Sequence, residues 1–175
     1  MPKIDESVPF KPVNIAVLTV SSSRTEADDT SGATLVELAE AAGHRIKARN
    51  LVPDSIEAIR TTLMSWIEDP QIDVVLSTGG TGLTGSDVTP EAFVTLYDKE
   101  IPGFGEIFRM LSHAKIGAST IQSRATAGVA KGTYLFALPG SPSACRDAWE
   151  GILRWQLDNR FRPCNFVELM PRLQE

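Results

Sequence analysis

A glycine-rich segment, residues 77–92, carries the strongest chemical signal in the sequence. It contains Thr-Gly-Gly-Thr-Gly at 78–82, and glycine lacks the Cβ atom that would keep backbone N–H groups away from a ligand. A predicted strand precedes this loop and a helix-start sequence at 89–91 follows it, an order typical of phosphate-binding loops. A tight turn does not need so many glycines. We therefore predict that a ligand phosphate is bound by Thr78, Gly79, Gly80, Thr81 and Gly82.

Two aspartates near predicted strand ends are candidate catalytic residues. Asp87 lies inside the glycine-rich segment, and Thr89 before Pro90 is the better helix cap, so Asp87 is predicted to bind Mg²⁺ or to orient a reacting group. Asp54 follows another predicted strand. With Glu57 three residues later it also fits a capping box, and the sequence pattern alone favours this cap over catalysis.

Two further segments could bind anions. Pro139, Gly140 and Ser141 end a predicted strand and lead into a helix, whose N-terminus favours negative charge. Ser123 and Arg124 lie in a predicted extended run, where an exposed arginine without a ligand is an equally good interpretation.

Two common nucleotide-binding motifs are absent from the sequence. A Walker loop needs Lys and then Ser or Thr after its last glycine, but Leu83 and Thr84 follow Gly82. An NAD-binding loop needs Gly-x-Gly-x-x-Gly after the first strand, where residues 21–23 are all serine. A nicotinamide oxidoreductase is therefore a weak alternative.

The elements that position these residues follow a β-α-β-α-β-α pattern. We predict strands at 13–20, 46–52 and 74–76, each followed by a helix, the third of which spans 90–98. This order gives an α/β fold with a mostly parallel sheet covered by helices on both faces. Ligands bind at the carboxyl edge of such sheets, where Ser22, Arg24, Asp54 and the glycine loop each follow a strand.

The second half of the chain is less regular. A turn at 102–105 is predicted to precede an apolar helix at 107–111. Extended runs at 120–130 and 133–138 predict a hairpin around Lys131 and Gly132. Ser141 and Pro142 are expected to be the N-cap and first residue of the last helix.

Composition narrows the class of protein. The 175 residues carry a net charge of −5, which argues against non-specific nucleic-acid binding, and no segment is apolar enough to span a membrane. Residues 1–12 lack the apolar core of a signal peptide and are predicted to form a loose arm. The distant Cys145 and Cys164 are typical of a reduced cytoplasmic protein. We expect one domain at 13–160 and a tail at 161–175 that packs on the body or on a neighbouring subunit.

Several motifs together resemble the MoaB/MogA molybdopterin-binding family. The similarity runs from about residue 13 to 164, and residues 108–112 and 162–166 are closer to the MoaB-type members. The motifs that carry it are Ser-Ser-Arg at 22–24, Asp-Thr-Ser-Gly at 29–32, Val-Pro-Asp at 52–54, 78–82 with 87–92, 102–106, Gln-Ser-Arg at 122–124 and Leu-Pro-Gly-Ser-Pro at 138–142.

This resemblance implies a three-layer α/β fold with a β-hairpin extension, assembled as trimers or hexamers. It implies binding of molybdopterin, whose terminal phosphate attacks the α-phosphate of Mg-ATP in active members. Two aspartates serve there, and they fall on Asp54 and Asp87, so the resemblance shifts Asp54 towards a catalytic role. Mg²⁺ is assigned to Asp87, while Ser22, Arg24, Ser123 and Arg124 are expected to bind or neutralise the substrates.

Two functions stay open after this comparison of motifs. Thr89-Pro90 after Asp87 matches the active members and favours an adenylyltransferase that uses ATP and Mg²⁺. Ser143 replaces a lysine that many members carry, which favours a molybdopterin-binding carrier without catalysis. Which of the two anion-binding segments, 78–82 or 139–141, holds the pterin is also open.

Overall fold

The computed structural model describes residues 3–175, and a six-stranded mixed sheet forms its centre. In chain order the strands are β1 (Lys3–Ile4), β2 (Asn14–Val20), β3 (Arg45–Val52), β4 (Val74–Thr78), β5 (Lys99–Glu100), β6 (Thr126–Ala130), β7 (Thr133–Leu138) and β8 (Phe161–Arg162). The central sheet has the order β3-β2-β4-β7-β6-β5, in which β3, β2, β4 and β7 are parallel. Strands β7, β6 and β5 pair antiparallel, so the predicted hairpin extends the parallel part of the sheet.

Helices cover both faces of this sheet. They are α1 (Thr30–Ala41), α2 (Ile56–Ile67), α3 (Thr89–Val94), α4 (Pro102–Ile116), α5 (Pro142–Ala148), α6 (Arg154–Gln156) and α7 (Phe166–Leu169). A π-helical turn, Trp149–Leu153, joins α5 to α6, and 3₁₀ turns span Gly117–Gln122 and Met170–Arg172. Within residues 3–175, no helix is long and apolar enough to cross a membrane.

Strand β2 shows why the sheet needs two helical layers. Ile15 packs in one core cluster with Leu35 of α1, whereas Leu18 packs in the opposite cluster with Ile59 of α2 and Phe93 of α3. All five side chains are fully buried. Burial of each such side chain contributes roughly 1.5–3 kcal/mol, so a strand that is apolar on both faces favours a sheet covered on both sides. The predicted α/β fold is confirmed.

Of the three predicted helix caps, Ser141 is confirmed, and Asp54 and Thr89 are wrong; Asp29, which was not predicted as a cap, is the N-cap of α1. Asp29 accepts a hydrogen bond from the amide of residue 32 at the start of α1, and Ser141 accepts one from Ala144 at the start of α5. In α2 the cap is Ser55, not Asp54. In α3 the predicted cap Thr89 is the first helical residue, because its hydroxyl is bonded elsewhere, and the residue before it provides no side-chain cap.

Several boundaries in the second half differ from the prediction. Helix α3 ends at Val94 rather than at 98, because the following residues turn into edge strand β5. Helix α4 begins at Pro102, where a turn was predicted, because proline suits the first turn of a helix. Residues 117–122 form a 3₁₀ turn, so β6 begins only at Thr126.

Both chain ends contact the body in the described region. Residues 1 and 2 of the predicted arm lie outside the described residues, and Lys3–Ile4 pairs antiparallel with Phe161–Arg162. The hydroxyl of Tyr134 in β7 donates to the Phe166 carbonyl at 3.0 Å. The segments at 3–4 and 161–166 are therefore attached to each other and to the sheet.

Candidate functional site

The glycine loop leaves β4 in a conformation that only glycine adopts easily. Gly79 and Gly80 have φ angles of +105° and +65°. A Cβ atom at Gly79 would lie 2.1 Å from the Val20 carbonyl oxygen, and one at Gly80 would lie 2.4 Å from Oγ1 of Thr89. The glycines therefore let the loop lie directly against the ends of β2 and α3.

Two backbone amides of this loop are free to bind a ligand. The Gly79 N–H donates to the Leu138 carbonyl at 3.0 Å. The next two amides, those of Gly80 and Thr81, have no acceptor among residues 3–175. Unpaired amides in succession after a strand form the kind of site that binds phosphate oxygens.

The second predicted anion-binding segment lies against the first. Thr78 Oγ1 donates to the Pro139 carbonyl at 2.9 Å, and a Cβ atom at Gly140 would lie 3.1 Å from the Gly79 Cα. Both segments line one cavity of about 390 Å³. The predicted residues in its wall are Gly80, Thr81, Gly82, Asp87, Ser123, Pro139, Gly140 and Ser141.

Asp87 orders its own loop as well as facing the cavity. Its Oδ2 accepts hydrogen bonds from the Thr84 amide at 2.8 Å and the Thr84 hydroxyl at 2.6 Å. The hydrogen bond from the Thr84 hydroxyl is the main cause that lowers the pKa of Asp87. The Thr84 and Gly82 amides and the charge of Arg124 lower it further, and burial, which raises the pKa, does not cancel these effects. Asp87 therefore also has a structural role in this loop, which the sequence did not indicate. Both Thr84 bonds go to Oδ2, which leaves Oδ1 for another partner.

Asp54 joins the ends of two neighbouring strands. Its Oδ2 accepts a hydrogen bond from the Ser22 amide at 2.7 Å, and its own amide donates to Ser22 Oγ at 3.0 Å. Its Oδ1 lies 3.4 Å from the position that a Cβ atom would occupy on Gly80. Because Ser55 caps α2, Asp54 is free of the predicted capping role and its second oxygen faces the glycine loop.

Arg24 connects α1 to the second anion-binding segment. Its Nη1 donates to Ser31 Oγ at 2.9 Å, and its Nη2 donates to the Gly140 carbonyl at 3.2 Å. Arg24, Ser22 and Asp54 are not in the wall of the 390 Å³ cavity, but they contact the loops that form it. The structure thus brings together all three strand-end loops that the sequence predicted to converge.

Arg124 binds the protein's own backbone. Its Nε donates to the Gly82 carbonyl and its Nη2 to the Asp87 carbonyl, both at 2.7 Å. Its Nη1 forms an ion pair with Glu91, which lowers the pKa of that carboxyl. The guanidinium of Arg124 is therefore hydrogen-bonded to atoms of the loop and of α3. The adjacent Ser123, in contrast, lines the cavity.

Comparison with known proteins identifies the family. A family model described as a probable molybdopterin binding domain matches residues 16–159. The chain belongs to the MoaB/MogA molybdopterin-binding family. It is 54% identical over 160 residues to molybdenum cofactor biosynthesis protein B of Escherichia coli K12, which covers 91% of this chain and 94% of that protein. It is 45% identical over 142 residues to the Bacillus subtilis protein of the same name, with 81% and 84% covered.

Solved structures of the MoaB/MogA family share the fold. A crystal structure of a molybdenum cofactor biosynthesis protein B superimposes with a TM-score of 0.82 at 42% identity, covering 84% of this chain and 92% of that one. The tungsten cofactor synthesizing protein MoaB of Pyrococcus furiosus gives a TM-score of 0.79 at 32% identity, covering 96% and 100%. The resemblance inferred from the motifs is confirmed.

Sequence reasoning missed one wall of the cavity in this MoaB/MogA family member. Helix α4 and the 3₁₀ turn after it contribute apolar and hydroxyl side chains. A signal was available, because Ser112 lies four and eight residues after Phe108 and Phe104 on the inner face of α4, where a polar residue is unusual. The missed residues of this wall are Phe108, Ser112, Ile116, Ser119, Thr120 and Gln122, and Ala144 of α5 was missed as well.

Positive side chains are scarce at this cavity. Within the described part of the chain, its wall contains no Lys, Arg or His, and Asp87 is its one charged residue. The same part of the chain holds no cluster of three or more His, Cys, Asp or Glu residues suited to a metal ion. The groups in this wall that can donate hydrogen bonds to an anion are therefore backbone amides and side-chain hydroxyls.

Proposed function

We propose that this MoaB/MogA family member binds molybdopterin and adenylylates it with Mg-ATP. The observation that carries the proposal is the placement of Asp54 and Asp87 against two glycines of the glycine loop. Asp54 Oδ1 lies 3.4 Å from the Cβ position of Gly80, and Asp87 Oδ2 lies 2.7 Å from that of Gly82. Each carboxylate accepts its hydrogen bonds through Oδ2, which leaves Oδ1 available to a ligand or a metal ion.

We assign the magnesium ion to these carboxylates together with the substrate phosphates. Mg²⁺ usually binds one or two carboxylates and completes its shell with water and substrate phosphates, so a cluster of three protein ligands is not required. Asp87 Oδ1 is the proposed ligand, with Asp54 Oδ1 as a second ligand or as a group that orients the attacking phosphate. When bound, the ion would neutralise phosphate charge.

The reaction joins two polyanions, so positioning and charge neutralisation dominate its barrier. An oxygen of the molybdopterin phosphate forms a bond to the α-phosphorus of ATP. The bond from that phosphorus to the bridging β-phosphate oxygen breaks, and pyrophosphate leaves with the electron pair. The Gly80 and Thr81 amides would hold one phosphate, and the segment 139–141 would hold the other substrate.

A non-catalytic molybdopterin carrier is the second candidate function. Two observations favour it: the cavity wall lacks a cationic side chain, and Arg24 and Arg124 are bonded to backbone carbonyls. The family resemblance adds that Ser143 replaces a lysine that many members carry. A carrier would bind the pterin through amides and hydroxyls without having to stabilise a transition state.

We also propose a homo-oligomer, either a trimer or a hexamer, in the cytoplasm. Large apolar side chains on α4 and the following turn are exposed, and Met110 and Ile121 are 72% and 81% accessible. A second copy of the chain would cover such a surface. Sedimentation of the purified protein tests the assembly.

One experiment separates the two functions. The purified protein is incubated with molybdopterin and Mg-ATP, and pterin binding and adenylylated pterin are measured in the same sample. The proposal expects binding and product. Tight pterin binding without product, under conditions in which a known adenylyltransferase is active, would show that the protein is a carrier.

A further inference from the structure

Thr89 holds the first two peptide units of the glycine loop. Its hydroxyl donates to the Gly79 carbonyl at 2.8 Å, and its amide donates to the Gly80 carbonyl at 3.0 Å. Thr89 is fully buried, so it cannot itself contact a ligand in the cavity.

The geometry of the peptide bond links these contacts to the free amides. In a trans peptide the carbonyl and the N–H of the next residue point in opposite directions. The carbonyls of Gly79 and Gly80 point towards Thr89. The N–H groups of the same two peptide units, which are those of Gly80 and Thr81, therefore point away from Thr89, and they are the amides without a protein acceptor.

Arg124 holds the next two peptide units in the same way. Its amide donates to the Thr81 carbonyl at 3.0 Å, and its Nε donates to the Gly82 carbonyl at 2.7 Å. Its Nη2 also donates to the backbone carbonyl of Asp87 at 2.7 Å. Four consecutive loop carbonyls are thus bonded by two residues outside the loop.

We infer that Thr89 and Arg124 are positioning residues for phosphate binding. Thr89 aims the Gly80 and Thr81 amides at the phosphate, and Arg124 fixes the Thr81 and Gly82 carbonyls and the backbone of Asp87. Arg124 then acts through the planar shape of its guanidinium and the hydrogen bonds that this group donates. It does not act by neutralising charge on the substrate. The inference rests on the proposed function only for the identity of the ligand. Any phosphate group bound by the Gly80 and Thr81 amides would need these amides held in the same orientation.

The test for Thr89 uses inorganic pyrophosphate as the probe and a matched pair of substitutions. T89V removes the hydroxyl that bonds Gly79, while T89S keeps it. The control is T133V, because Thr133 is another buried threonine whose hydroxyl donates to a carbonyl, that of Ile72, away from the cavity. Calorimetry should show that T89V weakens pyrophosphate binding by at least ~10-fold, whereas T89S and T133V stay near wild type.

Amide hydrogen exchange distinguishes positioning from general destabilisation. Pyrophosphate should slow exchange at Gly80 and Thr81 in wild type, T89S and T133V, but not in T89V. Equal binding by T89V and T133V would overturn the assignment of Thr89. Absence of pyrophosphate binding by the wild-type protein would also overturn it, because the amides would then hold no phosphate.

The test for Arg124 compares R124K with R124Q. Lysine keeps the charge but lacks the planar fork that reaches two carbonyls and Glu91 at once. Both variants should therefore bind pyrophosphate equally weakly, and retention of wild-type affinity by R124K would contradict the inference. If the wild-type protein binds pyrophosphate with these variant effects but makes no adenylylated pterin, the positioning roles stand and the proposed function fails.

Discussion

Ser22 and Asp54 form two reciprocal hydrogen bonds across neighbouring strand ends. The Ser22 amide donates to Asp54 Oδ2 at 2.7 Å, and the Asp54 amide donates to Ser22 Oγ at 3.0 Å. Ser22 follows β2 and Asp54 follows β3, two parallel strands whose last paired residues are Val20 and Val52. The pair fixes the Asp54 carboxylate beside Gly80, and this placement gives Asp54 its proposed part in the reaction.

The first prediction concerns the charge of Asp54. In D54N an amide oxygen still accepts the Ser22 hydrogen bond, but the negative charge beside the glycine loop is lost. We expect adenylylation to fall at least ~10²-fold, the scale seen when one key electrostatic group is removed, while pterin binding changes little. Product formation in single-turnover reactions is the measurement. S22A is the control, because it removes the Ser22 hydroxyl and keeps the charge, and it should lose much less activity.

The second prediction separates the two roles of Asp87. D87N keeps an oxygen that accepts the Thr84 bonds but removes the charge, and it should lose at least ~10²-fold in adenylylation with pterin binding retained. T84V removes the Thr84 hydroxyl and keeps the carboxylate, so it should raise the pKa of Asp87 and weaken the loop while leaving most turnover. Similar turnover in D87N and wild type would exclude Asp87 from the chemistry.

The third prediction concerns the backbone of the glycine loop. Alanine at Gly79 would need φ near +105° and would place Cβ 2.1 Å from the Val20 carbonyl. We expect G79A to lower the free energy of unfolding by about 2 kcal/mol or more and to abolish pyrophosphate binding. Chemical denaturation and calorimetry measure both effects. G85A is the matched control, because a Cβ atom at Gly85 meets nothing within 4 Å, and a loss in G85A as large as in G79A would refute the explanation.

The fourth prediction concerns the pH dependence of stability. His44 is buried beside Phe10 and Trp149, and burial lowers its pKa from 6.5 to about 4, although Asp158 opposes this shift. Its Nδ1 accepts the Val13 amide at 3.3 Å, so the ring is held in the neutral form. Between pH 6.5 and about 4 the unfolded chain binds a proton at His44 that the folded protein does not. The free energy of unfolding should therefore fall by about 2–3 kcal/mol as the pH is lowered through this window.

The variant H44N tests the assignment of this pH effect. Its Oδ1 can accept the Val13 amide in place of Nδ1, and asparagine does not titrate. Denaturation at a series of pH values should show a flatter profile for H44N than for wild type between pH 6.5 and 4. An unchanged slope would assign the effect to other groups.

The sequence was sufficient to predict the sheet and the edge at which the site lies. Two observations predicted a parallel sheet with helices on both faces. Residues 13–20 and 74–76 are apolar throughout, as in strands that are buried on both faces, and strands alternate with helices along the chain. That order alone placed Ser22, Asp54 and the glycine loop at one edge. The hairpin at Lys131 and Gly132 was also evident, and both residues have positive φ angles there.

The roles of individual polar residues could not be predicted, because they depend on contacts between distant segments. Thr89 has the sequence features of a helix cap, but its hydroxyl bonds Gly79 ten residues earlier. Arg124 has the features of a substrate-binding cation, but its partners lie at 81–91, more than thirty residues earlier in the chain. Ser55 and Asp54 are adjacent and equally suited to cap α2, and the bond to Ser22 decides between them.

The most direct test of the account follows the α-phosphate of ATP. The wild-type protein is incubated with molybdopterin, Mg²⁺ and ATP labelled at the α-phosphate, with D54N and D87N in parallel. We predict that the label appears in a pterin product, with one pyrophosphate released for each label transferred, and that both variants lose this transfer while still binding the pterin. Label that remains in ATP while the wild-type protein binds molybdopterin tightly would contradict the account and would identify the protein as a carrier.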